Sequence, residues 1–416
     1  MKCFSCLPLS DQLPLLSSFI ITVSLLALIG IPSDVQADDW PQWRGPDGTG
    51  ISKETGWVAE FPASGPREAW RRNIGFGCSS VSVVNGMLYT LGWHDGKDVV
   101  VCLDAATGTS IWEFSYRADR YERNHDGGPA ATPAVDGDRL YTLGRDAQLF
   151  CLDSQTGEKK WSKSLKRQLD LKVPRWGFSG SPVVVGDFLL LDLGRIVVFD
   201  KFNGKMKWVT KDYGSSYSTP LPFQYSRRSL VAAFPSYGLV VLDFSDGREL
   251  TKYPWETSYD VNAATPIVID DHIFISSGYD KGCALFQLDR RGLNLAWENR
   301  VMRNQMSTCI LINGHLYGFD EKTLKCIDIR RQGKERWSRR GLGRGALSAA
   351  GDKLIILSEK GELIIADADS ERFQLRGRAK MFRTSEGWTA PVLADGRIYC
   401  RSGHGELVCI DVGPKQ

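Results

Sequence analysis

An apolar residue followed by Asp recurs eight times along this chain, and this repeat limits the folds open to it more than any other feature. The eight pairs end at Asp104, Asp153, Asp200, Asp243, Asp289, Asp328, Asp367 and Asp411. Successive pairs lie 39 to 49 residues apart, about 44 on average. This spacing is typical of the four-stranded blades of a β-propeller, and the intervening residues show no sustained helical periodicity.

Each repeat contains the same succession of short apolar segments and turns. A small residue followed by Pro opens several repeats, as at Thr132–Pro133 and Thr219–Pro220. Asn-Gly or Asp-Gly then separates two segments rich in Val, Ile and Leu, as at Asn85–Gly86 and Asp136–Gly137. Such dipeptides between alternating apolar residues are strong hairpin signals. The sequence therefore predicts an all-β fold of antiparallel strands.

Tryptophan follows most of the repeated aspartates at a nearly constant distance. The chain has 13 Trp, five of which come eight or nine residues after the Asp of their repeat: Trp112, Trp161, Trp208, Trp297 and Trp337. Gly often stands four residues after the Asp, as at Gly108 and Gly157. Asp accepts hydrogen bonds from turn amides, Gly adopts positive φ, and Trp offers a large apolar surface. We expect a tight turn and an outer strand whose Trp packs between neighbouring blades.

The last repeat ends before an outer strand can form, and the N-terminal part of the chain contains a matching segment. Residues 67–72, with Trp70 at their centre, resemble an outer strand without the three strands that should precede it. Pairing this segment with the C-terminal strands would close the ring and remove exposed sheet edges. We predict a single eight-bladed propeller over residues 67–416, preceded by an N-terminal extension over residues 38–66.

The first 37 residues have the features of a secretory signal peptide. A 13-residue apolar run, residues 19–31, precedes the small-residue cleavage pattern Val35-Gln36-Ala37. The first Cys after that run is Cys78, so no cysteine stands in place for a lipid anchor. We expect an exported protein of the periplasm or cell envelope, not lipid-anchored, with no transmembrane segment after cleavage. An uncleaved membrane anchor is the alternative.

The net charge argues against nucleic-acid binding, and the positions of the cysteines indicate buried structural residues. The 52 Lys and Arg nearly balance 49 Asp and Glu, and the net charge of +3 does not suit a protein that coats nucleic acid. Four cysteines stand two residues before the Asp of their repeats, where a small buried residue is expected: Cys102, Cys151, Cys326 and Cys409. Cys400 and Cys409 flank one turn, and the sequence leaves open whether they form a disulfide.

The repeat resembles that of pyrroloquinoline-quinone-type (PQQ-like) β-propellers. Residues 147–161, Ala-Gln-Leu-Phe-Cys-Leu-Asp-Ser-Gln-Thr-Gly-Glu-Lys-Lys-Trp, carry the motif Gly-x-Leu-x-Cys-Leu-Asp-x-x-Thr-Gly-x-x-x-Trp with Ala in first place. The segment 39–46, Asp-Trp-Pro-Gln-Trp-Arg-Gly-Pro, is similar to the mature start of a branch common in planctomycetes. The superfamily includes quinoprotein dehydrogenases and non-enzymatic relatives such as BamB of the outer-membrane assembly machinery, and a shared fold does not decide between them.

The dehydrogenase alternative implies a PQQ cofactor with Ca²⁺, used to oxidise an alcohol or sugar. Such an enzyme needs a Trp ring on which the quinone lies (the floor), and oxygen ligands for the cation. It also needs a cationic side chain near the quinone carbonyls and a carboxylate base for the alcohol. Loops expected to rim the funnel carry one set of candidates: Asp260 as base, Asn262 or Glu386 as metal ligands, Arg175 or Arg344 as electrophile, and Trp176 or Trp388 as floor.

Two parts of the resembled alcohol dehydrogenases are missing from the sequence. The vicinal Cys-Cys pair that they place over the cofactor is absent, and so are the long insertions between blades that build their substrate pocket. A polar funnel with some Trp is, moreover, expected of any propeller. We therefore expect a monomeric, non-catalytic scaffold that binds envelope or outer-membrane proteins, with no cofactor.

Overall fold

The computed structural model describes residues 38–123, 125–383 and 387–414, so the predicted signal peptide and Glu386 lie outside the described residues. The described chain is almost entirely β-structure. Its strands in the first half are β1 (Ile51–Ser52), β2 (Arg67–Asn73), β3 (Ser82–Val84), β4 (Met87–His94), β5 (Lys97–Asp104), β6 (Ser110–Arg117), β7 (Ala134–Asp136), β8 (Arg139–Leu143), β9 (Gln148–Asp153), β10 (Lys159–Ser164), β11 (Val183–Val185), β12 (Phe188–Asp192), β13 (Ile196–Asp200), β14 (Met206–Val209), β15 (Leu221–Tyr225), β16 (Arg228–Ala233), β17 (Gly238–Asp243) and β18 (Glu249–Pro254).

The second half continues in the same way and contains little helix. Its strands are β19 (Ile267–Ile269), β20 (His272–Ser277), β21 (Gly282–Asp289), β22 (Gly292–Asn299), β23 (Ile310–Ile312), β24 (His315–Asp320), β25 (Thr323–Asp328), β26 (Lys334–Arg339), β27 (Gly345–Ala350), β28 (Lys353–Ser358), β29 (Glu362–Asp367), β30 (Leu375–Lys380), β31 (Val392–Ala394), β32 (Arg397–Arg401) and β33 (Glu406–Asp411). One short helix, α1 (Leu165–Gln168), and two single 3₁₀ turns, Ser258–Asp260 and Ile329–Arg331, complete the described elements. None of the described helices is long and apolar enough to cross a bilayer.

Eight antiparallel sheets form the blades of a propeller, as the repeat predicts. Seven of them are built from four consecutive strands: β3–β6, β7–β10, β11–β14, β15–β18, β19–β22, β23–β26 and β27–β30. The third strand of each ends at the repeated Asp, and in six of these seven blades the Asp carboxylate accepts a hydrogen bond from a backbone N–H of the following turn. Asp104 Oδ1, for example, accepts from the backbone N–H of Ala106 and Thr107 at 3.1 and 2.8 Å.

The eighth blade joins the two ends of the propeller and confirms the predicted closure. Its order is β2-β33-β32-β31, so its outer strand comes from the N-terminal part of the chain. β2 runs antiparallel to β33, with Trp70 opposite Cys409. Six residue pairs align the two strands, and the closed ring lacks the two exposed sheet edges that an open stack of blades would have.

The repeated Trp residues pack between blades, as predicted. Each indole N–H donates to a backbone carbonyl at the turn after the repeated Asp of the next blade, as from Trp112 to Ser154 at 3.0 Å and from Trp161 to Lys201 at 3.2 Å. The turn Gly makes room for the ring. A Cβ on Gly157 would lie 2.6 Å from the Trp112 ring, closer than any side chain tolerates.

The cysteines of the repeat are buried thiols within these sheets. Cys102, Cys151, Cys326 and Cys409 have no exposed surface. Cys400 and Cys409 are both free thiols, and they pack in different core clusters on opposite faces of β32 and β33. The disulfide left open by the sequence is therefore not formed.

Residues 38–52, which we call the N-terminal plug, run across the inner strands of several blades. Trp40 forms a β-bridge with Val83 of the first blade, and the Pro41 carbonyl accepts from Val135 of the second. β1, within the plug, pairs in parallel with β27 as a fifth strand of the seventh blade. The extension is thus part of the packed body of the protein.

Candidate functional site

A cavity of about 550 Å³ lies at the centre of the ring. Most of its walls come from the connections that lead from the outer strand of one blade to the inner strand of the next, so residues from across the chain meet there. Arg145 and Tyr279 come instead from turns within a blade. The described lining residues used below are Trp43, Cys78, His125, Arg145, Arg175, Trp176, Tyr217, Tyr259, Tyr279, Gln305, Arg344 and Trp388. The volume of the cavity and its aromatic and cationic lining are typical of a site that binds a small ligand or a peptide.

The plug supplies Trp43 to this central cavity, a residue that the sequence analysis did not assign to the site. The Trp43 indole N–H donates to the hydroxyl of Thr265 at 3.0 Å. Arg44 beside it is buried, and its guanidinium donates to the carbonyls of Gly48, Thr49 and Cys309 at 3.0, 2.6 and 3.1 Å. The segment Trp-Pro-Gln-Trp-Arg contributes to the family resemblance of the sequence, but only the closed ring brings Trp43 into contact with Thr265, 222 positions away.

Aromatic rings contact one another along one side of the cavity, in tilted and edge-to-face arrangements. Trp176 contacts Tyr217 and Tyr259, with ring centroids 6.0 and 6.4 Å apart, and Tyr259 contacts Tyr279 at 5.4 Å. Arg175 places its guanidinium 5.1 Å from the Trp176 ring centroid and 5.8 Å from that of Tyr259. Tyr259 is 61% exposed, so this cluster, the aromatic rim, reaches the protein surface.

Three arginines line the cavity, and no Asp or Glu does so among the described lining residues. Arg145 is only 5% exposed, and its guanidinium donates to the carbonyls of Gly128 and Trp176. Arg344 donates to Gln305 at 2.7 Å and lies 3.7 and 3.8 Å from two glutamates outside the lining. The walls therefore favour an anionic occupant.

Burial and this positive charge act on titratable groups in and near the cavity. Desolvation, followed by the charge of Arg145, lowers the pKa of His125 to about 4, so its imidazole is neutral at physiological pH. Burial raises the pKa of Asp98 to about 7, although Tyr116 donates a hydrogen bond of 3.1 Å to its carboxylate and Arg145 attracts it. Burial is thus the main cause of the lowered His125 pKa, and the positive charge of Arg145 adds to it.

Four of the candidate site residues meet at the cavity: Trp176, Arg175, Arg344 and Trp388. Asp260 is exposed and lies outside the lining. Asn262 is buried, and its side chain is already engaged: its amide N donates to Pro235 at 2.9 Å and its oxygen accepts from Ser277 at 2.7 Å. Glu386 is outside the described residues. The roles assigned to these residues stay predictions.

The described residues do not fit a quinone and calcium ion together. Aromatic rings and arginines suit a planar anion, but Ca²⁺ requires six to eight oxygen ligands. Within the described chain no group of three or more His, Cys, Asp or Glu could hold a metal ion. The Asn262 oxygen is occupied by Ser277, and the proposed base does not face the cavity.

Eight PQQ-like blades around an aromatic, cationic cavity define a propeller of the quinoprotein-like class. The chain belongs to the family described as outer membrane protein assembly factor BamB, which matches residues 54–208, 96–339 and 320–414.

Solved structures of both kinds of relative share the fold. Quinohemoprotein alcohol dehydrogenase from Comamonas testosteroni has a TM-score of 0.69 and 14% identity, covering 91% of this chain and 81% of that chain. BamB from Moraxella catarrhalis has a TM-score of 0.59 and 15% identity, and the match covers 84% of this chain and 98% of the BamB chain. These identities show the fold alone.

A curated relative matches a shorter stretch. Quinohemoprotein alcohol dehydrogenase ADH-IIG of Pseudomonas putida is 29% identical over 140 residues, which are 30% of this chain and 18% of that protein. The chain thus spans less than a fifth of the length of this relative.

Proposed function

We propose that this protein is an exported, non-catalytic propeller that binds protein partners in the cell envelope through the mouth of its central cavity. The aromatic rim carries the proposal. Trp, Tyr and Arg are the residues that dominate the energetics of protein interfaces. Here the Arg175 guanidinium lies over the Trp176 and Tyr259 rings, these two rings meet edge to face, and Tyr259 is largely exposed.

The rim is suited to binding because it is already ordered. Arg175 lies over two rings, and the Trp176 indole N–H donates to the Arg123 carbonyl at 2.8 Å. Side chains held in this way lose little conformational entropy when a partner binds. The three lining arginines add a preference for a segment that carries a carboxylate. Membership of the BamB family supports partners among envelope proteins.

The decisive experiment compares two aromatic truncations in a quantitative capture of proteins from envelope extracts. Tyr259→Ala removes the exposed ring of the rim, whereas Phe202→Ala removes a ring that is 47% exposed on another turn and also lies near a cation. We expect a reproducible partner that is recovered equally by wild type and Phe202→Ala and reduced at least about tenfold by Tyr259→Ala, since hot-spot truncations cost about 2 kcal/mol or more. Equal recovery by all three proteins contradicts the proposal.

The dehydrogenase alternative has a direct test of its own. Purified protein mixed with PQQ and Ca²⁺ is expected to show neither stoichiometric binding nor dye-linked oxidation of alcohols or sugars. Saturable quinone binding that is lost in Trp388→Ala would overturn the scaffold proposal.

Export is tested separately by N-terminal sequencing of the mature protein, which is expected to begin at Asp38.

A further inference from the structure

The N-terminal plug contacts the inner strand, or the residues just before it, in every blade of the ring. Trp40 pairs with Val83 of the first blade and packs in one core cluster with Val392 of the eighth. The carbonyl of Gly50 accepts the Ala349 N–H of the seventh blade at 3.0 Å. The contacts with the second to sixth blades lie, in chain order, at Val135, Val184, Leu221, Thr265 and Cys309. The plug therefore spans the whole ring.

These contacts lie farther along the inner strands than the residues that line the central cavity. In the first blade Cys78 lines the cavity and Val83 contacts the plug. In the seventh blade Arg344 lines the cavity and Ala349 contacts the plug. Because the blades repeat one strand order around a central channel, their inner strands run in the same direction. The plug therefore crosses the end of the channel that lies opposite the aromatic rim.

Little open space remains where the plug crosses the channel. A cavity of about 20 Å³ lies between Trp40, Trp43 and the inner strands, enough for roughly one water molecule. Trp43 lines both the central cavity and a groove of about 220 Å³ on the plug side, so its indole separates these two spaces. Within the described chain, the central cavity is thus a socket that opens at the aromatic rim and is closed at the plug.

A socket with one mouth discriminates between the parts of a polypeptide that could enter it. The middle of an extended chain needs a second opening through which to leave, and a loop must bring two strands through the same mouth. A chain end needs neither. The volume of about 550 Å³ is sufficient for the last few residues of a chain. The shape of the socket therefore favours a chain terminus.

Charge selects between the two termini. The α-amino group of an N-terminus would meet Arg145, Arg175 and Arg344, and no Asp or Glu among the described lining residues offsets their charge. A C-terminal carboxylate meets three cations instead. Arg175 forms no ion pair with a described carboxylate, and two aromatic rings hold its guanidinium in place. It is therefore available for the paired hydrogen bonds that Arg forms with a carboxylate.

The backbone at the mouth of the socket is held in an unfavourable conformation. Tyr259 and Asp260 have φ of 65° and 58°. Tyr279 and Asp280, on the neighbouring turn, have φ of 54° and 61°. Residues with a Cβ rarely adopt this left-handed conformation, and such strain is concentrated at functional sites. Both Tyr side chains line the cavity, and their ring centroids lie 5.4 Å apart, so an entering chain would pass over them.

We propose that this socket binds the C-terminal residues of a protein partner, with the terminal carboxylate among the three arginines and the preceding residues against the aromatic rim. The inference rests on the proposed function, because it names the part of the envelope partner that enters the cavity. It adds two requirements that a partner lying across the mouth would not have. The carboxylate must be at a chain end, and no residue can follow it.

Binding of short peptides to the full-length, folded protein tests both requirements. The probes are pools of tetrapeptides with a fluorescent label at the N-terminus, one fixed last residue and mixed residues before it. Each pool is prepared with a free C-terminal carboxylate and with a C-terminal amide. A third form has Asp as the fixed residue, followed by Gly-Ser-Gly-Ser-amide, so that its carboxylate is internal. Fluorescence anisotropy measures the dissociation constants.

We expect at least one free-acid pool to bind saturably. The amide form of that pool should bind at least about tenfold more weakly, because it has no charge for the arginines to bind. The internal-carboxylate form should also bind at least about tenfold more weakly, because the closed socket has no exit for the residues that follow the Asp.

Two variants and one control test the assigned residues. Arg175→Gln should weaken binding of the free-acid pool at least about tenfold and leave the amide pool unchanged. Arg248→Gln is the matched control, because it removes the same charge from a turn of the fourth blade, where the side chain is 62% exposed. Trp43→Ala opens the cavity towards the groove on the plug side and should reduce the discrimination against the internal carboxylate. If this variant fails to fold, the wild-type pools and Arg175→Gln still decide.

Several outcomes overturn the chain-end inference. They are the absence of saturable binding by any free-acid pool, equal binding of its amide or internal-carboxylate form, and an unchanged affinity in Arg175→Gln. Displacement of the bound pool by an equal concentration of benzoate would assign the cavity to a small free acid and also overturn it.

The capture from envelope extracts distinguishes a failure of this inference from a failure of the proposed function. A partner whose recovery depends on Tyr259 but is not reduced by an excess of the tightest free-acid pool overturns the chain-end inference alone. The absence of any partner that depends on Tyr259 contradicts the proposed function, even where a free-acid pool binds. Recovery that falls both in Tyr259→Ala and in the presence of that pool supports the two together.

Discussion

The indole Nε1 of Trp70 donates a hydrogen bond of 3.0 Å to the carbonyl oxygen of Ala105, and this bond joins the last blade to the first. The same oxygen accepts from the Tyr399 hydroxyl at 3.1 Å. Trp70 is 8% exposed and packs against Tyr399, with ring centroids 6.0 Å apart. The ring is thus closed by side-chain packing as well as by the pairing of β2 with β33.

Truncating this side chain should weaken the closure strongly. Trp70→Ala removes a buried ring and its hydrogen bond, for which we expect a loss of about 3–5 kcal/mol in the free energy of unfolding. The measurement is urea unfolding followed by tryptophan fluorescence and circular dichroism. Phe202→Ala, at an exposed turn position, should change stability by less than about 0.5 kcal/mol. Similar losses in both variants would show that Trp70 has no special part in closure.

Substitutions at two turn glycines can distinguish the cost of backbone strain from the cost of a steric clash with a Trp ring. Gly108 and Gly137 both have positive φ, +70° and +57°. A Cβ on Gly108 would lie 2.6 Å from the Trp70 ring, whereas one on Gly137 would meet nothing within 4 Å. Ala at either position carries the cost of positive φ, about 1–2 kcal/mol. We expect Gly108→Ala to lose at least about 1 kcal/mol more than Gly137→Ala in chemical unfolding, and equal losses would contradict the role of the Trp contact.

The buried carboxyl of Asp98 should make stability depend on pH. Its pKa is about 7 in the folded protein, because burial disfavours the charged form, against 3.8 for an ordinary Asp. The folded state therefore holds a proton that the unfolded state releases between pH 4 and 7. Stability from this group is fully present below about pH 4 and falls as pH rises to about 7, by at most about 1.4 kcal/mol per pH unit.

The variant Asp98→Asn isolates this effect. It can still accept the hydrogen bond from Tyr116 and has no proton to lose, so its stability relative to wild type should increase from pH 4 to pH 8. Thermal unfolding across this range measures the difference. Asp187→Asn, which alters an exposed carboxyl, serves as the control and should leave the slope unchanged. A parallel pH profile for Asp98→Asn and wild type would rule out the buried proton.

Arg44 should hold the N-terminal plug in place. Arg44→Met leaves three carbonyl oxygens without their charged donor, and we expect a loss of about 2–4 kcal/mol in stability. Cleavage by trypsin at Lys53 should then precede global unfolding. Lys53→Met removes only an exposed ion pair with Asp47 and should cost less than about 1 kcal/mol. A plug that stays resistant to proteases in Arg44→Met would show that other contacts suffice.

The blade architecture could be predicted because its signals are local. A hairpin turn such as Asn85–Gly86 and the Asp104 turn involve neighbouring residues, so their spacing along the chain reports the strand order directly. Even the closure by residues 67–72 could be inferred, because the C-terminal blade lacked one strand, and the observed strand β2 extends it by one residue to Asn73. The candidate site was predicted less completely. Trp176 and Arg344 do line the cavity, but Asn262 turns into the protein to bind Ser277.

Sequence alone determined the repeated blade, the number of blades and the inter-blade role of the tryptophans, since each depends on residues within one repeat or its neighbour. Only the tertiary structure decided what occupies the centre. Trp43 meets Thr265 from 222 positions away, and Arg401 meets Ser79 from 322. Such contacts depend on the angle between blades and on the radius of the closed ring. The spacing of residues within one repeat does not determine either quantity. The lining of the central cavity and its positive charge therefore depend on how the ring closes.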